Sequence, residues 1–227
     1  MAKERTSDVD VWLNRETPRI RQALESASRH FDSTDSLTVN TLEAVYGQES
    51  SFGTMLGTRG SASAAGHFQF MPETAKRYEL SVSKHNDQRF DIDYAASAAA
   101  RYLKDLDTMF SKRTTLSRQR ETITVVSASE RKKFVLGAFN AGEGRVTRAQ
   151  RLAEQAGKDP QSWSDVAAYL AEETKQYVEA VPRYEMEFAQ KSPADKGRKE
   201  KGVRKGTYRC TEGHWVTLDD RPVFICD

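Results

Sequence analysis

Cysteine is nearly absent from these 227 residues. Cys210 and Cys226 are the only two, and both stand in the last segment. The four histidines, His30, His67, His85 and His214, are scattered without metal-ligand spacing, so no metal centre is expected. Long apolar runs are missing as well: mean hydropathy is −0.72, which excludes a hydrophobic membrane-spanning segment. No apolar stretch of signal-peptide type precedes residue 15. Charge of one sign is not in excess. Lys and Arg number 35 against 33 Asp and Glu, a net +2, which argues against a dedicated nucleic-acid binder. What remains is enough apolar material, 37%, for one well-cored domain and a small appendage.

Most of that material is spaced as helix. Thr17-Pro18 reads as cap and first turn, followed by Ile20, Leu24 and Phe31 on one face. Val39, Leu42, Val45 and Tyr46 form a second stripe that stops at Gly47, and Pro72 opens a short helix with Ala75 and Tyr78 inward. The clearest helix starts near Asp91, with Ile92, Ala95, Ala99, Tyr102, Leu103, Leu106 and Phe110 on one side. Further helices are expected over 134–141, 144–156 and 172–190, the last bent or broken at Pro182. Residues 111–129 fit either a strand or an irregular insertion. Residues 191–205 are rich in Lys and Arg and read as an exposed linker or, alternatively, a patch for an anionic polymer. Short strands are expected at 207–209, 215–218 and 223–225, with turns at Glu212-Gly213 and Asp219-Asp220. A Cys210–Cys226 disulfide across this module would imply an oxidising compartment; two free thiols are the alternative. The chain thus divides into an N-terminal helical extension (1–36), a helical domain (37–190), a basic linker (191–205) and a small β module (206–227).

Four stretches carry chemistry. In Gly47-Gln48-Glu49-Ser50-Ser51-Phe52-Gly53 a carboxylate follows an apolar helix, where desolvation would keep Glu49 protonated near neutrality. The others are GHFQFMPETA from Gly66, AFNAGEG from Ala138, and ETKQYV from Glu173. Taken singly, each has a structural reading: Phe70 and Met71 as core, Asn140 as a helix end, Tyr177 as packing.

Taken together and in order, the four resemble the catalytic domain of the soluble lytic transglycosylases, bacterial enzymes with a lysozyme-like helical fold that cut peptidoglycan. Glu49-Ser50 corresponds to the family's Glu-Ser pair. Gly66, Gln69, Met71, Pro72, Thr74 and Ala75 fall on its G-L-M-Q-x-M-P-x-T-A stretch. Ala138, Asn140, Ala141 and Gly142 fall on A-Y-N-A-G, and Glu173, Thr174, Tyr177 and Val178 on E-T-x-x-Y-V. The likeness extends over about residues 37–187. It departs at His67-Phe68, where the family has Leu-Met, and at Phe139, which lacks the usual tyrosine hydroxyl. His67 is read as a packed or exposed substitute for the leucine.

The resemblance implies a fold class, mainly α and lysozyme-like, and a reaction without cofactor. Glu49 would protonate the β-1,4 bond between N-acetylmuramic acid and N-acetylglucosamine, then act as base while the muramic 6-hydroxyl closes a 1,6-anhydro ring. Ser50, Gln69, Met71, Phe139, Asn140, Glu173 and Tyr177 would bind the glycan, with Tyr177 orienting Glu49. The implied partners are peptidoglycan strands and an envelope or secretion-machine component reached through the C-terminal module. The implied location is the periplasm or cell envelope, by way of a removed signal, a secretion system or a phage particle. Two alternatives compete: a goose-type-lysozyme-like hydrolase using Asp91 or Asp93 to deliver water, and a non-catalytic wall-binding module.

Overall fold

The structure, a computed structural model, describes residues 6–32, 36–116 and 120–191, with the backbone of 213–218 and 221–226. The basic linker beyond Lys191, the strand expected at 207–209, both expected turn pairs apart from Gly213, and Cys210 lie outside the described residues. So does the side chain of Cys226.

The described chain is mainly helical. Its order is α1 (Asp8–Leu13), α2 (Pro18–Ala27), α3 (Val39–Ser50), α4 (Pro72–Arg77), α5 (Ile92–Ser111), α6 (Ala128–Ala141), α7 (Glu143–Gln155), α8 (Trp163–Val166) and α9 (Glu172–Lys191). Local chemistry sets the starts. Ser7 and Asp10 form a capping box on α1, and the Thr17 hydroxyl accepts from the Ile20 amide, with Pro18 in the first turn of α2. Asp91 caps α5 through the Asp93 amide. In α5, Ala95, Ala96, Ala98, Ala99 and Ala100 are fully buried. Their short side chains let neighbouring helices approach this central element closely, and α2 and α6 pack along it.

Two expectations need correction, and one element was not expected at all. The helix expected from residue 134 begins at Ala128, because the Ser127 hydroxyl accepts from the Glu130 amide and starts it earlier. Of the two outcomes expected at Pro182, a bend or a break, the break does not occur: α9 runs through to Lys191. Val178 and Val181 are buried before the proline and Phe188 after it, and α9 packs along α3, so burial outweighs one lost backbone bond. Finally, α8 and the 3-10 turn Ala167–Tyr169 were not foreseen. Trp163 seats this segment over Gly137, where a Cβ would lie 2.3 Å from the indole.

Of the undecided stretch 111–129, Ser111 ends α5 and residues 128–129 begin α6; between them the described residues are irregular. Thr115 and Glu121 form one isolated antiparallel bridge, Thr122 Oγ1 donates to Met109 O at 3.0 Å, and Val125 is buried.

The helices of the first 36 residues, expected as an extension, share the core of the domain. Val9, Trp12, Ala23, Leu24 and Ala27 are buried within it, and the chain up to Lys191 forms one compact unit. The indole of Trp12 lies on Gly47 of α3, where any Cβ would come within 2.3 Å of it. In the second unit, β1 (Gly213–Leu218) and β2 (Arg221–Cys226) pair antiparallel, with Trp215 opposite Phe224. None of the described helices is long and apolar enough to cross a membrane.

Candidate active site

Glu49 occupies the last turn of α3. The preceding turns bury Leu42, Val45 and Tyr46 completely, which holds the helix end against the core. The chain then turns sharply. Ser51, Phe52 and Gly53 take successive left-handed conformations, at φ 50°, 57° and 79°. For serine and phenylalanine that is strained backbone, so other contacts must hold it. Trp12 Nε1 donates to Ser51 Oγ at 3.1 Å and Arg15 Nη1 to Ser51 O at 2.8 Å. Phe52 is buried against the rings of Trp12, Tyr46 and Phe188.

Ser50 does not meet the sugar-binding expectation. Its side chain is wholly buried, donates to Tyr46 O at 3.3 Å and accepts from the Gly53 amide at 3.1 Å. It ties the turn together, and both of its hydrogen-bonding directions are spent inside the protein.

The Glu49 carboxyl is half-buried. Tyr177, projecting from α9, donates its hydroxyl to Glu49 Oε1 at 2.7 Å. Loss of solvent raises the carboxyl to about 7; the Tyr177 hydrogen bond pulls it down and the negative charge of Glu173 pushes it up. The Tyr177 phenol is driven well above its ordinary value by burial and by the neighbouring Glu49, so it remains a donor. An acid poised near neutrality with a fixed donor can give up a proton and take one back.

The second wall is the segment between α3 and α5. Its organiser is Arg89, which is fully buried. Arg89 pairs with buried Asp87 at 2.8 Å and donates to the carbonyls of Ser61, Ser63 and Phe70 at 2.9–3.0 Å. The salt bridge alone would be a costly burial; with these carbonyls the guanidinium fork is satisfied. Gly66 rests on the Arg89 backbone, where a Cβ would lie 2.1 Å from the carbonyl oxygen. Gln69, at φ 46°, is held by bonds from its Nε2 to Gly66 O at 2.7 Å and Met55 O at 3.1 Å. Met71 stands at the start of α4 with half its surface exposed. His67 is half-buried, its Nδ1 3.0 Å from the Tyr46 hydroxyl, and burial lowers its pKa. Of the two readings, a packed or an exposed substitute for leucine, its contact with the Tyr46 ring is the packed one.

The third wall joins α6, α7 and α9. Asn140 Oδ1 accepts from Thr174 Oγ1 at 2.8 Å, which orients its amide. Phe139 packs between the rings of Phe70 and Tyr102. Tyr102 in turn donates to Glu143 Oε2 at 2.9 Å, and Arg77 pairs with Glu143 at 2.6 Å. These walls enclose a cleft of about 520 Å³. Glu49 and Tyr177, Gln69 and Met71, Phe139 and Asn140, and Glu173 all line it. Ser50 does not. Asp91 and Asp93 do not either: both are engaged with Arg19, at 3.2 and 2.8 Å.

The match of the transglycosylase SLT domain model covers residues 27–162, well over half of the chain. The chain belongs to this family. It is similar to the membrane-bound lytic murein transglycosylase D of Escherichia coli (strain K12), 32% identical over 117 residues, 52% of this chain and 21% of that protein. It is also similar to the membrane-bound lytic murein transglycosylases F of Shewanella frigidimarina (strain NCIMB 400) and Marinobacter nauticus (strain ATCC 700491 / DSM 11845 / VT8). These are 36% and 31% identical over 84 residues, 37% of this chain and 15% and 14% of those proteins. The chain thus spans about a fifth, or less, of the length of the curated relatives it matches.

Sequence reasoning missed Arg89, the Tyr102–Glu143–Arg77 group and Gln48, a further cleft residue. Arg89 gives no periodic signal, being one cation in a single 3-10 turn, Gln88–Phe90. Glu143 was visible in the AFNAGEG stretch, but nothing there announced a partner 66 residues away.

Proposed function

We propose that this chain is a peptidoglycan lytic transglycosylase that cuts the β-1,4 bond between N-acetylmuramic acid and N-acetylglucosamine without water. The observation that carries the reading is the solvent-poor Glu49 carboxyl, raised to about 7 and held by the Tyr177 hydroxyl at 2.7 Å in a cleft of glycan dimensions.

Protonated Glu49 donates to the glycosidic oxygen as the C1–O bond breaks, and the N-acetylglucosamine side leaves as the alcohol. Positive charge develops at the muramic C1, which the substrate's own acetamido oxygen stabilises. The carboxylate now present on Glu49 takes the proton of the muramic 6-hydroxyl. That oxygen bonds to C1, closing the 1,6-anhydro ring and restoring the starting acid. The attack is intramolecular and gains from proximity. Gln69, Met71, Phe139, Asn140 and Glu173 are assigned to holding the glycan, with Asn140 presenting its amide nitrogen because Thr174 occupies its oxygen. Tyr177 orients Glu49, and the rest of the architecture is lysozyme-like.

The goose-type hydrolytic reading has less support, because its two candidate aspartates are paired with Arg19 outside the cleft. The assigned location is the periplasm or cell envelope, where the substrate lies. The C-terminal residues are assigned to a small β-hairpin module closed by a Cys210–Cys226 disulfide and available to an envelope or secretion-machine partner. Thiol labelling before and after reduction tests the bond, and two free thiols in the native protein would refute it.

Glu49→Gln keeps the shape and the Tyr177 contact but removes the proton. Clearing of purified cell walls should fall by at least about a thousandfold while the thermal midpoint stays within a few degrees. Equal clearing by variant and wild type would remove Glu49 from the mechanism.

A further inference from the structure

Beyond Asn140 the cleft does not end. A second hollow of about 550 Å³ shares Asn140, Ala141, Arg145 and Glu173 with it and continues along α7. Helical spacing makes one of its walls. Arg145, Arg148, Ala149 and Leu152 fall at i, i+3, i+4 and i+7, so they form a single stripe on α7. The opposite wall is Tyr169, Leu170 and Ala171 leading into the first turn of α9.

The two arginines of this stripe are unlike their neighbour. Arg151, one turn on, pairs with Glu154 at 3.0 Å. Arg145 and Arg148 are exposed and have no carboxylate partner among the described residues; Arg145 makes one bond, to Ala141 O at 3.1 Å, and Arg148 makes none. Glu143, two positions before Arg145, cannot serve, because Arg77 and Tyr102 already hold it. The only carboxylate lining the hollow is Glu173, on the far wall and also facing the catalytic cleft. The hollow therefore offers two open guanidinium forks beside apolar Leu152 and Leu170 and a partly exposed Tyr169 ring. A guanidinium fork matches a carboxylate in two-bond geometry, and the mixed apolar lining suits a short peptide better than a bare sugar.

We propose that this hollow is a subsite for the peptide stem that branches from muramic acid, with Arg145 and Arg148 binding its free carboxylates. The inference rests on the peptidoglycan reading above and extends it from the glycan to its branches. It makes peptide-bearing strands the preferred substrate and strands stripped of stems the poorer one. Glu173 completes the discrimination by facing the amino groups of a stem while repelling a carboxylate placed too near Glu49.

The experiment compares two substrates and two readouts. Initial rates of glycan cleavage are measured on intact strands and on the same strands after an amidase has removed the stems. The ratio of intact to stripped should exceed about fivefold in the wild type and fall to about one in Arg145→Gln/Arg148→Gln. Binding is measured separately in the Glu49→Gln background, by calorimetry with a disaccharide-peptide and with its carboxyl-amidated form. Arg148→Gln and amidation should each weaken binding about tenfold, and their effects should not add. An unchanged ratio in the double variant, or equal affinity for the two forms of the peptide, overturns the subsite. If the wild type cleaves neither substrate, the lytic reading fails, and the calorimetry alone then decides the subsite.

Discussion

Near pH 7 Glu49 is present in both protonation states, and the first step proposed for it needs the protonated one. Its value of about 7 stands above the ordinary 4.5 because the ionised form is poorly solvated. Cleavage, read as kcat/KM, should therefore be maximal below neutrality on this limb and fall as pH rises through about 7. Tyr177 stabilises the ionised form, so Tyr177→Phe removes a downward pull. The alkaline limb should then move to higher pH, while the rate at the optimum drops about 10- to 100-fold from loss of orientation. An unmoved limb would show that Tyr177 does not touch the titrating acid. Glu49, Gln69, Asn140 and Tyr177 were legible because each lies in a short stretch whose order along the chain is distinctive. Ser50 was misjudged for the same reason. A stretch identifies which residue is present but not which way its hydroxyl points, and here both bonds turn inward.

At the scale of elements, capping and apolar periodicity in the sequence locate most of the helices. The starts at Pro18 and Pro72 and the stripe of α5 are local signals, carried by residues within a turn or two. What escaped was long-range. The segment from Ser51 to Met71 has little regular structure, and its shape comes from Arg89, distant in sequence, and from left-handed residues that are not glycine. Arg89→Met tests this. It leaves Asp87 buried without its counter-charge and frees three carbonyls, so stability should fall by about 3–5 kcal/mol in chemical denaturation. Activity should fall further than stability explains, since Gln69 and Met71 are positioned by this segment. Full activity in a folded Arg89→Met would contradict that dependence. The continuity of α9 through Pro182 carries the same lesson, because the burial of Val178 and Val181 before it and Phe188 after it decides it.

For the whole molecule, the family match begins at residue 27, yet the compact unit includes α1 and α2. Trp12 lies directly on Gly47, hydrogen-bonds Ser51 and stacks near Phe52 and Phe188, so the N-terminal segment braces the end of the helix that presents Glu49. Trp12→Ala should cost about 3–5 kcal/mol of stability, and it should lower activity with Glu49 and Tyr177 untouched. A change confined to stability, with normal turnover of the folded fraction, would make the N-terminal helices packing material only. That bracing was not legible beforehand, because the first residues read as scattered apolar side chains among charges.

The most direct test of the account is the mass of the muropeptides released when the purified protein digests peptidoglycan. One acid serving in both proton transfers, with the 6-hydroxyl as nucleophile, predicts fragments ending in 1,6-anhydro-muramic acid, each lighter by one water than a hydrolysis product, and none from Glu49→Gln. Fragments with reducing muramic ends would contradict it, because water would then have reached C1.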